Sequence, residues 1–326
     1  MTNPLRSTLR ASGAYTIVLF LAGYCHALTG YGVNSQGTLF HFDVDNPNNS
    51  AVAVGPVGFV PEGIDFRPSS STLYAIDIGP NTTQLYTINI NTALATPIGA
   101  GFPSTSASYN LTGNQHFGFD VNPSTLQMDG SIRIRLTATN SDNLRLHSAT
   151  GAIAAEDTDL LIPPSSSPFV DGSAYSNNIA NMATLATTLY DMDSRNDKLY
   201  IQNPPNNGTL TEVGPFGVTI DALVGIGFDI DTNPGTLANR GLAVYQRTDT
   251  AGGAYLIYDV NLATGATTMG ALVGPAATVI DFNGGFSVLP VPEPSTLVLA
   301  GLALVPLVLR WRPWSKSRQL NGAARE

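Results

Sequence analysis

The sequence predicts an all-β chain: a five-bladed β-propeller-like ring of four-stranded blades, closed by N-terminal strands joining the C-terminal strand. Three observations predict it. A short phrase recurs at a nearly fixed interval, period-two runs fill the gaps between its copies, and the two ends of the repeat complete one another. The phrase is Gly118-Phe119-Asp120-Val121-Asn122-Pro123, with relatives in Gly63-Ile64-Asp65-Phe66-Arg67-Pro68, Gly227-Phe228-Asp229-Ile230 and a degenerate Ile280-Asp281-Phe282-Asn283-Gly284. Their phenylalanines, at 66, 119, 228 and 282, lie 53, 109 and 54 residues apart, and 109 is close to two periods. The missing copy falls near 173, where Gly172-Ser173-Ala174-Tyr175 sets an aromatic residue in the expected place. An interval of this size points to a solenoid, a propeller or a tandem array.

Each unit reads as an anchor strand and three more. The first continues through 72–76, 84–89 and 95–99, and the second through 132–137, 143–147 and 149–153. The third carries 188–193, 198–202 and 208–214; the fourth carries 241–245, 254–260 and 265–270. All are short alternating runs bounded by Gly, Pro, Asn or Thr, the mark of strands between turns. Only 160–188 departs from the scheme, being Pro/Ser-rich and then possible helix over 178–186. The fifth anchor, 279–282, has no strands after it, whereas 28–33, 38–43 and 51–55 have no anchor before them. One strand from the end and three from the start complete a fifth blade and leave no open radial edge. The alternative is a six-bladed ring to which 160–188 contributes strands.

The 326 residues, with 43% apolar, 32 Gly and 22 Pro, allow a large core and many turns. Arg6 and Arg10 precede an apolar run from Thr16 to Gly23, so 1–27 reads as a secretory signal cut after Ala27. Residues 21–25 are similar to a lipoprotein signal, but Tyr24 is bulky where that signal needs a small residue. The body, 28–290, then keeps no cysteine and cannot rest on disulfides. It holds 22 Asp and Glu against 8 Lys and Arg, a net of −14, which repels nucleic acid and anionic lipid. Solubility alone accounts for the same surface. Beyond it, Pro292, Glu293 and Pro294 lead to 13 apolar residues at 297–309, then Arg310, Arg312, Lys316 and Arg318. As a helix that run is about 20 Å long, shorter than a bilayer core, and the basic end stays cytoplasmic. Residues 291–312 thus read as a weak tail anchor or processed signal, with 313–326 as a cytoplasmic tail; a buried helix is the alternative.

The segment Val291-Pro292-Glu293-Pro294-Ser295-Thr296, with the apolar run, Arg310 and Arg312, closely resembles a PEP-CTERM sorting signal. That resemblance implies export, transient membrane anchoring and an exosortase-like processing enzyme as partner, in bacteria that make exopolysaccharide. The body resembles the bacterial family called domain of unknown function 4394. The phrases that carry this include those at 63–68 and 117–123, Leu73-Tyr74-Ala75-Ile76, Asn143-Leu144-Arg145-Leu146, Ala174-Tyr175-Ser176-Asn177-Asn178 and the run 202–210. Membership of an uncharacterised family brings no catalytic residue with it.

Chemical signatures are sparse. No paired-histidine or cysteine spacing suggests zinc, and there is no phosphate loop or Gly-x-Ser-x-Gly elbow. His116, beside an anchor strand, reads as a base near the ring centre or as an inter-blade hydrogen-bonding residue. Asp65, Asp120, Asp229 and Asp281 recur at one place in the phrase, so repeated geometry brings them into a ring able to hold calcium through oxygen ligands. The competing reading is a carboxylate that accepts turn N–H groups beside Pro68 and Pro123. Arg67 and Arg135 are candidates to neutralise this charge. The loops 43–46 and 191–197 also alternate oxygen groups, which turn formation explains without an ion. Two functions remain: a non-catalytic exported surface or matrix protein binding polysaccharide or protein through exposed Tyr, Asn and Gln, with no cofactor required, and a carbohydrate-active hydrolase or lyase using Asp120 or Asp229.

Overall fold

The inner runs form strands buried on both faces, whereas outer runs such as Ile153–Glu156 alternate between half-buried and exposed positions. The computed structural model describes residues 28–128, 130–179, 186–248, 254–268, 270–274, 281–282 and 285–290. The N-terminal strands β1 (Thr29–Val33), β2 (Thr38–Asp43) and β3 (Val52–Pro56) belong to the blade that closes the ring. Blade 1 is β4 (Gly63–Arg67), β5 (Thr72–Ile78), β6 (Thr82–Ile88) and β7 (Ala95–Pro103). Blade 2 follows with β8 (Phe117–Val121), β9 (Arg133–Ala138), β10 (Asn143–His147) and β11 (Ile153–Glu156). Blade 3 has β12 (Val170–Tyr175), β13 (Leu189–Asp193), β14 (Lys198–Gln202) and β15 (Leu210–Pro215). Blade 4 has β16 (Gly227–Thr232), β17 (Asn239–Tyr245), β18 (Leu256–Val260) and β19 (Thr267–Thr268), and β20 (Phe286–Val288) is the last strand.

Five antiparallel four-stranded sheets result, and the inner strands touch in the cycle β4, β8, β12, β16, β20 and back to β4. Closure is as expected, a C-terminal strand pairing with β1, in the register Gly30 with Val288 and Gly32 with Phe286. The strand that does it differs. The expectation placed it at 279–282, but Asp281 and Phe282 precede β20 and lie outside it, while 279–280 are outside the described residues. Phe282 packs instead among Phe42, Tyr255 and Phe286. The six-bladed alternative is overturned: within 160–188 the described residues form one strand, β12, the inner strand of blade 3. The helix expected over 178–186 falls mostly on undescribed residues, as do the signal 1–27, Pro292, Glu293, Pro294 and the tail. Among the described residues no helix is long and apolar enough to cross a membrane.

Four of the five blade interfaces are apolar. Blades 1 and 2 meet through Ile76, Leu85, Phe119 and Leu136, blades 3 and 4 through Met192, Phe228 and Tyr258, blades 4 and 5 through Phe42, Leu242 and Phe286, and blades 5 and 1 through Tyr31, Leu39 and Phe66. The interface of blades 2 and 3 is polar. Buried Arg135 donates to Asp157 Oδ2 at 2.7 Å, Asn143 Oδ1 at 2.6 Å and Asn206 Oδ1 at 3.1 Å, and Arg145 clasps the same Asp157 from the more exposed side. Thr137 and Ser173 hydroxyls meet at 2.8 Å across the same seam, and Ser173 Oγ donates to Asp191 at 2.7 Å.

The rim repeats a turn. In blades 1, 2 and 4 the third-to-fourth-strand hairpin places Ala93, Gly151 and Gly265 at φ of 59°, 68° and 77°, and their N–H groups donate to the carbonyls of Asn89, His147 and Asn261. The side chain of that first residue also accepts the N–H two positions on, with His147 Nδ1 standing in for an Asn oxygen. Such a turn reverses the chain in few residues while pairing its own N–H groups.

Candidate functional site

Side chains from four inner strands converge on the ring axis, Asp65, Asp120, Asp229 and Ser287; with Ala174 of blade 3, which packs among Met192 and Phe228, they stand two positions after Gly63, Gly118, Gly227, Gly285 and Gly172. The glycines let adjoining inner strands come close. A Cβ on Gly63 would sit 2.5 Å from Phe119 Cβ, one on Gly118 2.3 Å from Ser173 Oγ, and one on Gly227 2.4 Å from Phe286 Cβ. That close approach is what allows the axial side chains to meet.

They meet by a rule that passes around the ring. At three junctions an axial oxygen takes an N–H from the next blade: Val121 N–H donates to Asp65 Oδ2 at 2.7 Å, Val288 N–H to Asp229 Oδ2 at 2.7 Å, and Phe66 N–H to Ser287 Oγ at 3.3 Å. Blade 3 has Ala174 in this place, and Ile230 N–H turns to Asp229 Oδ1 of its own strand at 2.6 Å. Ser287 Oγ stands 2.7 Å from Asp65 Oδ1 and 2.8 Å from Asp229 Oδ2. A hydroxyl has one proton, so it donates to only one of them; the other contact requires a proton on the carboxyl or a cation shared by the group. Asp120 differs again. Both its oxygens are buried without a hydrogen-bond partner, and the Tyr175 N–H that faces it from blade 3 does not reach hydrogen-bond geometry.

Asp65, Asp120 and Asp229 are each 1% exposed, and one oxygen from each lies within 4.8 Å of the others. Burial raises all three above the ordinary carboxylate range; repulsion from Asp229 adds to it at Asp65, from Asp65 and Asp229 at Asp120, and from Asp231 at Asp229. For Asp229, which keeps two N–H donors, the rise is to about 6; Asp65 and Asp120 are held well above their ordinary value by burial. Above them the five glycines leave an opening of only about 10 Å³, room for about one water. Glu62 lines it, its carboxyl raised to about 7 by burial and by Asp77. His116 is half-buried, its pKa lowered by burial against the opposing hydrogen bond to the Leu223 backbone, as the inter-blade reading expects.

The other expectations divide. Asp281 is not in the ring: its carboxylate accepts Ser35 N–H and, at 2.8 Å, Ser35 Oγ, and Ser287 takes the axial place. Asp65 and Asp229 accept N–H groups from neighbouring blades and not from the turns beside Pro68 and Pro123, and Asp120 accepts none. Neither arginine neutralises them, since Arg67 bonds Ser69 and the Gly130 carbonyl and Arg135 serves the seam. In the loop 191–197, Asp193 accepts N–H groups of Phe169, Arg195 and Asn196, a turn fastening. No tyrosine or phenylalanine among the described residues is exposed, so the exposed Tyr expected of a binding surface is missing there. What the surface has is two matching grooves at the outer corners of blades 1 and 4. One, of about 400 Å³, is lined by Thr72, Thr87, Asn89 and Asn91; the other, of about 500 Å³, by Asn239, Arg240, Asp259 and Asn261. Sequence reasoning missed Ser287 and Glu62; the Gly285-Phe286 pair ahead of Ser287, echoing Gly118-Phe119 and Gly227-Phe228, is the signal that finds it.

Comparison with known proteins bears on export and on family. A PEP-CTERM protein-sorting motif matches residues 290–312, so the chain is exported to the cell surface, transiently anchored in the membrane, and processed by an exosortase-type enzyme. No curated protein matches. Among solved structures the chain is similar to an α-L-arabinofuranosidase from Clostridium thermocellum (12% identity, 76% of this chain and 84% of that one, TM-score 0.41) and to a protein from Lactobacillus plantarum (11%, 81% and 99%, TM-score 0.37). Likenesses this distant say nothing of activity. The family model for Domain of unknown function (DUF4394) matches residues 38–283, nearly the whole ring, and the chain belongs to that family.

Proposed function

We propose that this exported protein is a non-catalytic surface or extracellular-matrix component whose ring holds polysaccharide or another protein on its outside. The observation that carries the reading is the sealed axis: the three carboxylates that could serve as acid or base are 1% exposed beneath an opening of about 10 Å³, which no sugar ring enters. The accessible concave surface among the described residues includes the two corner grooves, whose amide, hydroxyl and charged groups can hydrogen-bond a hydroxylated chain. The net charge of −14 over 28–290 favours neutral or basic partners. Affinity electrophoresis through gels containing the extracellular polysaccharide, and pull-down of matrix proteins, test it. Retarded migration or a specific protein partner, with no release of reducing or unsaturated sugar ends, is the expected result.

A hydrolase or lyase is the second reading, and Glu62 is the observation in its favour, a carboxyl raised to about 7 and within reach of the axial opening. Sugar release that disappears in Glu62→Gln would replace the binding reading with this one.

A further inference from the structure

The axial carboxylates pose an electrostatic problem that the protein around them does not solve. Three acids from three blades converge in a sealed site, and no arginine or lysine among the described residues bonds to them. Hydrogen bonds serve Asp65 and Asp229, but both oxygens of Asp120 are buried and unpartnered, and one of them lies within 4.8 Å of an oxygen on each of the other two. Leaving such a group unsatisfied costs several kcal/mol. Ser287 Oγ, with one proton, stands against two carboxylates at once.

We propose that a calcium ion occupies the ring axis, held by Asp65, Asp120 and Asp229 with Ser287 Oγ beside them. The donors are all hard oxygens, the ligand type of calcium and magnesium rather than of zinc or copper. One oxygen of each carboxylate and Ser287 Oγ make four ligands, and the second, unpartnered oxygen of Asp120 with one water would bring the shell to six, the lower end of calcium's range. Calcium–oxygen bonds of about 2.3–2.6 Å give a shell of about 4.6–5.2 Å diameter, which spans the separation of the three carboxylates. Magnesium keeps several waters, and the adjoining space holds about one. The ion would tie blades 1, 2 and 4 to the closing blade 5, acting as a pin through the ring rather than as a reaction centre.

The test uses the full chain, stripped with a chelator and returned to calcium alone or magnesium alone, with the melting temperature and the bound metal measured. Calcium is expected to raise the melting temperature by several degrees and to be retained near one ion per chain, with magnesium giving a much smaller shift. Asp120→Asn removes the unpartnered charge, so its chelated form is expected to melt above chelated wild type while its calcium affinity falls at least tenfold. If that variant does not fold, Ser287→Ala takes its place with a smaller loss of affinity. An unchanged melting temperature with no retained calcium overturns the proposal and leaves shared protons to neutralise the cluster. An equal response to magnesium overturns the choice of ion, and an undiminished calcium response in Asp120→Asn overturns the site.

Discussion

Asp191 shows how much one side chain can set the response of this molecule to pH. It is fully buried, Ser173 Oγ serves one oxygen, the other has no partner, and desolvation outweighs both that bond and the attraction of Arg135 to raise its pKa to about 7. The folded carboxyl keeps its proton where the unfolded one, near 3.9, has lost it. Its contribution to stability is therefore full below about pH 4 and is lost as pH rises through about 7. The loss is on the order of 4 kcal/mol, and Asp171 acts in the same sense. Melting curves between pH 5 and 8 should show stability falling with pH, and Asp191→Asn should flatten that fall. Arg135 is the second residue to test. Its removal leaves polar groups stranded in the seam between blades 2 and 3, so Arg135→Met should cost about 3–5 kcal/mol in denaturant unfolding. Arg145→Ala, whose side chain is 30% exposed on the same Asp157, should cost about 1 kcal/mol or less.

At the scale of elements, the inner strand is the unit whose tolerance is smallest. Gly227→Ala puts a methyl 2.4 Å from Phe286 Cβ, and no rotamer change relieves a clash between two Cβ atoms. The substitution should destabilise by about 1–3 kcal/mol or more, read as a shifted denaturation midpoint. The sequence carried these strands openly, since Gly63, Gly118 and Gly227 stand two residues before a recurring Asp and the interval is nearly constant. The closing strand was hidden because Ser287 replaces the acid, and because Ile280-Asp281-Phe282 imitates the phrase a few residues too early. Blade 3 lost its acid to Ala174, although its glycine and Tyr175 held the register. The partners of the axial acids were illegible for a different reason. Val121 lies 56 residues from Asp65 and donates to it only once the ring is closed.

For the molecule as a whole, closure depends on β20 lying against β1, which brings residues 28 and 290 to the same side of the ring. A circular permutant that joins 290 to 28 and opens the chain in the exposed stretch near Leu126 should unfold in one cooperative step, followed by circular dichroism. Truncation after 284 removes β20 and Ser287 and should broaden or abolish that transition. Position along the chain adds a mechanical consequence. The sorting motif begins at 290, two residues past β20, so any pull from the membrane enters the protein at its clasp. Tension along that tether would peel a ladder of three residue pairs before it strained any other blade, and cutting the tether relieves the clasp of load. The enzyme that releases this protein from the membrane would also leave it harder to pry open.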